Sequence, residues 1–117
     1  MRTALLLLVT IAGATAAYAA DGTHSFQLAE EPGNPVSCMG LANAFDRPFV
    51  LTVAGGKATL ESTGGVHVDM TSPAPDQYKG AFDLAGERLD FTADVGAAKT
   101  LSARGNNLGC KWSGKAS

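Results

Sequence analysis

Apolar side chains recur at every second position through most of this chain, and glycine-rich breaks interrupt them about every eight to twelve residues. A helix buries one face with a period near 3.6 residues, whereas a period of two sends alternate side chains to opposite sides of a strand. Phe26 and Leu28 alternate with Ser25 and Gln27. Phe49, Leu51 and Val53 follow, then Ala58 and Leu60, then Val66, Val68 and Met70. Tyr78, Gly80, Phe82 and Leu84 share one phase, as do Leu89, Phe91, Ala93 and Val95; Leu101 and Ala103, then Leu108, Cys110 and Trp112, complete the series. Only Met39 to Phe45 suits a helical turn. The pattern predicts an all-β fold.

Turn chemistry tests that pattern, because a slip of one residue would turn a core face into water. Gly55-Gly56 suits a two-residue hairpin loop, placing Val53 opposite Ala58, Leu51 opposite Leu60 and Thr52 opposite Thr59. Thr63-Gly64-Gly65 suits a three-residue loop, setting Leu60 opposite Val68 and Glu61 opposite His67. Ala85-Gly86 brings Asp83 against Arg88, and the alternative Gly86-Glu87 loop would oppose Asp83 to Asp90. Gly105-Asn106 would pair Ala103 with Leu108 and Leu101 with Cys110.

Consecutive hairpins lie side by side and must limit their exposed edges. The expected architecture is a small antiparallel up-and-down meander closing into a barrel of about seven to nine strands. A flattened β-sandwich is the alternative. An immunoglobulin pattern is absent, since Trp112 follows the second cysteine and Leu108 stands where the corner tyrosine would. Large inward residues (Phe26, Phe49, Tyr78, Phe82, Phe91, Trp112) face small ones (Ala58, Gly80, Ala93, Ala103), which predicts a solid interior.

The first residues read differently. Arg2, an apolar run from Ala4 to Ala12 broken only by Thr10, and the small residues of Ala17-Tyr18-Ala19 form a secretory signal-peptide pattern over residues 1–19. It is too short and wrongly flanked to span a membrane. Residues 20–117 then form a single β-barrel-like domain, secreted or periplasmic. The chain has two cysteines, Cys38 and Cys110. In an exported chain such a pair predicts one disulfide, stapling an early segment to the last strand. Closing a loop of this length stabilises a fold by up to about 4 kcal/mol in the chain-entropy model.

Eleven carboxylates and nine lysines and arginines are spread evenly, for a net charge of −2. That balance argues against nucleic acid as a partner. Catalytic motifs are missing: no serine lies in GxSxG, no cysteine is left over once the disulfide forms, and two histidines are the only imidazoles. His24 shares the inward phase of Phe26 at a strand mouth. His67 and Asp69 share an outward face beside Glu61, but the three or four ligands of a metal site cannot be assembled around them. Met39 and Met70 with either histidine would make a soft copper set, although Met70 continues a core stripe. No cofactor is implied.

The irregular stretches offer another kind of surface. Glu30, Glu31, Asn34, Asp46 and Arg47 lie in one, and Pro73, Pro75 and Asp76 in another; their prolines pre-stiffen the backbone and lower the entropy lost on binding. The leading expectation is an exported non-catalytic protein that binds a protein or other macromolecule through its loops, inhibition of a secreted enzyme being one such role. The alternatives are a lipocalin-like carrier of a small apolar ligand, and a metal-handling protein or enzyme using His24 or His67.

Overall fold

The computed structural model describes residues 21–116; the expected signal peptide lies outside them. The elements are β1 (Gly22–Phe26), β2 (Ala29–Glu30), a 3₁₀ helix (Val36–Leu41), α1 (Ala42–Phe45), β3 (Phe49–Ala54), β4 (Lys57–Ser62) and β5 (Val66–Ala74). β6 (Gln77–Leu84), β7 (Glu87–Asp94), β8 (Thr100–Gly105) and β9 (Lys111–Lys115) complete the chain. All pairings are antiparallel, in the order β1-β3-β4-β5-β6-β7-β8-β9-β2.

That order begins and ends on one stretch of chain. β1 and β2 are consecutive pieces separated by Gln27 and Leu28: β1 pairs with β3, β2 pairs with β9, and Phe26 also bridges to Ala116. The sheet thus curls round on itself, as the meander predicts. Gly114 permits the approach, because a Cβ there would run into the Gln27 carbonyl. β5 makes the opposite corner, pairing with β4 through Val66–Met70 and with β6 through Thr71 and Ala74, with a register shift between them.

The first three predicted turns hold. Val53↔Ala58, Leu51↔Leu60, Thr52↔Thr59, Leu60↔Val68, Glu61↔His67 and Asp83↔Arg88 are all Cα partners. The fourth does not. Ala103 faces Trp112 rather than Leu108, and Leu101 faces Gly114 rather than Cys110. β9 is displaced by an even number of residues, so Cys110 and Trp112 keep their inward phase, while Leu108 moves into an exposed connection. Ser72-Pro73-Ala74 is likewise not a free linker: it extends β5, and Pro75-Asp76 alone makes the turn.

The inward side chains form one buried cluster running from Phe26 to Trp112, against which Phe82 and Leu84 pack half-buried. The predicted helical stretch becomes the 3₁₀ helix and α1, which cap the end carrying the β4–β5, β6–β7 and β8–β9 connections. Phe45 enters that end and stacks on Trp112, ring centroids 3.9 Å apart and 6° from parallel. Phe49 lies 5.6 Å from Phe45, and Phe91 lies 6.0 Å from Phe49. The α1 backbone sits on Gly64, where an added Cβ would meet the Ala44 carbonyl at 2.9 Å. Cys38 and Cys110 are disulfide-bonded, with Cα atoms 5.8 Å apart, and so fasten the cap to the β8–β9 connection.

Candidate functional site: a concavity at the capped end

A 3₁₀ helix eclipses side chains three residues apart, which gives it three faces. Here each face has its own surroundings. Cys38 and Leu41 are buried in the core. Ser37 and Gly40 line a concavity of about 310 Å³. Val36 and Met39 face water, 80 % and 70 % exposed. The far wall of the concavity is Ala85, Gly86 and Glu87 from the β6–β7 hairpin with Asn107 and Leu108 from the β8–β9 connection, and Leu108 is itself 40 % exposed.

Glu87 organises this wall. Among the described residues it is the buried charged side chain, 3 % exposed. Its Oε2 accepts the backbone N–H groups of Leu108 (2.8 Å) and Asn107 (3.2 Å). Gly105 leaves room for the carboxylate, which a Cβ at that position would strike. Asn107 Nδ2 donates to the Gly86 carbonyl, and Gly105 N–H to that of Cys110. These bonds explain the displaced β9: the carboxylate holds Asn107 and Leu108 as a loop, which a two-residue hairpin would have drawn into the ladder. The alternation carried the signal, because Glu87 shares the inward phase of Leu89, Phe91, Ala93 and Val95. A carboxylate at an inward position is rare unless it is paired.

The residues singled out in the irregular stretches divide between the two ends. Glu30, Glu31, Asn34, Asp46 and Arg47 flank the capped end, whereas Pro73, Pro75 and Asp76 lie at the other. Asn34 is committed to the fold: its Oδ1 accepts the Lys111 N–H, and its Nδ2 donates to the Lys111 carbonyl, each at 2.9 Å, and also to Glu30. The side chain thus extends the β2–β9 pairing by one position. Glu30, Asp46 and Arg47 are exposed, and Glu31 is half-buried.

His24 is half-buried on β1, opposite Leu51. His67 lies on the outer face between two carboxylates, with Nδ1 2.9 Å from Glu61 and Nε2 3.6 Å from Asp69. All three side chains are more than half exposed, so this is a solvated ion-pair group of small energetic weight. Met70 is buried in the core and Met39 stands in solvent, so the soft pair is not assembled. Among the described residues, no three histidine, cysteine, aspartate or glutamate side chains converge as a metal site, and no helix is long and apolar enough to cross a membrane. Compared with protein-family models, curated proteins and solved structures, the chain matches none.

Proposed function

We propose that this chain is an exported, non-catalytic binding protein that docks on a protein partner through its capped end. The observation that carries this reading is the exposure of Val36, Met39 and Leu108 at the capped end, Leu108 on the wall of the concavity. Water-facing apolar side chains grouped at one site mark an interaction surface more often than scattered ones do. The disulfide ties both rims together, so little conformational entropy is lost when they are covered. Export is supported by the leader pattern, and the disulfide is compatible with an oxidising compartment.

The test uses the oxidised mature chain as immobilised bait for the exported fraction of its host. A triple variant, Val36→Ser, Met39→Ser and Leu108→Ser, serves beside it. The wild type is expected to retain a protein that the triple variant releases, while both unfold at similar temperatures, because the three positions are exposed. Pro73→Ala with Pro75→Ala, at the other end, is expected to retain that protein. Equal retention by the triple variant, or no retained protein at all, overturns the reading.

A further inference from the structure

Glu87 does more than holding a loop requires. Both backbone N–H groups bond to one oxygen, Oε2. A glutamine carries an equivalent acceptor, so the negative charge is surplus to that task. Among the described residues, none donates a hydrogen bond to Oε1, and no lysine, arginine or histidine lies within ion-pair distance of the carboxylate. A buried charge without a countercharge is costly, and removing one partner of a buried pair has the same effect. Glu87 is buried in that condition and lines an open concavity.

The other walls narrow the choice of countercharge. Among the described residues, no basic side chain lines the concavity. Leu41 and Leu108 supply apolar surface, and Ser37 supplies a hydroxyl. Asn107 donates one amide hydrogen to the Gly86 carbonyl and keeps its Oδ1 as an acceptor. Acceptors over apolar walls suit a group rich in N–H donors on a hydrocarbon stem.

We propose that this concavity is an anchor site for one cationic group, the ammonium or guanidinium of a lysine or arginine side chain presented by the protein partner. The group pairs with Glu87, and its stem lies against Leu41 and Leu108. Naming a protein as the source rests on the docking proposed above; the cation chemistry does not.

The test needs no partner. The oxidised mature chain, labelled with nitrogen-15, is titrated with N-acetyl-lysine N-methylamide, its arginine counterpart, and the neutral isostere N-acetyl-norleucine N-methylamide. The cationic probes are expected to move the amide resonances of Asn107 and Leu108 and to bind at least about tenfold more tightly than norleucine. Glu87→Gln keeps the acceptor and is expected to bring all three probes to the norleucine level. Ser37→Lys, which leaves Glu87 and its loop bonds in place, supplies an internal ammonium and is expected to block the cationic probes. Equal binding of lysine and norleucine probes, no shift at Asn107 and Leu108, or a Ser37→Lys variant that binds like wild type overturns the proposal. The two readings fail separately. Cation binding with no captured protein keeps this site and removes the docking; capture that Glu87→Gln leaves intact, with no probe shift, does the reverse.

Discussion

At the uncapped end of the barrel the chain turns economically. Gly55-Gly56 and Pro75-Asp76 each reverse direction in two residues, and the β7–β8 connection is held close by a Val95 N–H to Asp76 carbonyl bond of 2.9 Å and a Gly96 N–H to Asp94 Oδ1 bond of 2.8 Å. Val53, Met70, Tyr78 and Val95 close the interior there with side chains borne by strands and one adjoining loop residue. The capped end is built otherwise. Its interior is closed by Phe45, a residue outside the sheet, and its surface carries exposed Val36, Met39 and Leu108 beside a buried carboxylate. One end is closed by its own strands and the adjoining loop, while the other adds a separate cap, a covalent tie and a buried carboxylate.

The largest effect that sharpens this contrast comes from the plug. Phe45 stacks on Trp112 and lies near Phe49 and Phe91, so Phe45→Ala empties the middle of an aromatic cluster. Denaturant unfolding is expected to show a loss of about 3–5 kcal/mol. Val95→Ala, at the uncapped end, removes fewer buried carbons and is expected to cost about 2 kcal/mol. Equal costs would mean that the cap contributes no more than any other inward residue, and the contrast would fail on the side of stability.

How much of this was legible in the sequence differs between the same two ends. The hairpins at Gly55-Gly56 and Ala85-Gly86 and the loop at Thr63–Gly65 could be placed because turn residues and the period-two pattern agree there, each constraining the other. The disulfide followed from an even cysteine count behind a leader-like pattern. The β8–β9 connection could not be placed the same way. Gly105-Asn106 is sound hairpin chemistry, but a long-range interaction overrides it: Glu87, distant in sequence, captures Asn107 and Leu108. Local propensity contains no information about that capture. Even so, the inward phase of Glu87 was visible, and following it would have led to the concavity. The exposure of Val36 and Met39 was less accessible, since it depends on which face of a short 3₁₀ helix meets the barrel.

Two hairpins of the same design allow a smaller comparison. Gly55-Gly56 and Ala85-Gly86 both have positive φ at each loop residue: 60° and 82° in the first, 51° and 83° in the second. A two-residue loop of this kind matches the twist of its strands but needs left-handed backbone, which glycine adopts freely and alanine does not. The strained member, Ala85, lines the concavity beside Glu87. Ala85→Gly is expected to gain about 1 kcal/mol in denaturant unfolding, and Gly55→Ala to lose about as much. A loss on Ala85→Gly would show that the methyl group makes contacts outweighing its backbone cost.

The smallest effect is confined to alkaline solution and belongs to the uncapped end. Burial pushes the Tyr78 phenol above its ordinary value of 10.0, and the carboxylates of Asp76 and Asp21 push it further in the same direction. The sign follows from linkage. A phenol whose pKa is raised by folding favours the folded state while it is neutral, so its contribution is fully present below pH 10.0. It is lost as pH rises through the folded value, where folding must hold back an ionisation that the unfolded chain completes. Stability measured by denaturant is therefore expected to be insensitive to Tyr78 ionisation at neutral pH and to decline above pH 10.0. Tyr78→Phe, which keeps the ring and removes the ionisable group, is expected to flatten that decline. Asp76→Asn is expected to flatten it partly, because burial remains the larger cause. An alkaline decline that Tyr78→Phe leaves unchanged would move its origin away from Tyr78, and burial of this phenol would then contribute nothing to the pH dependence of closure at the uncapped end.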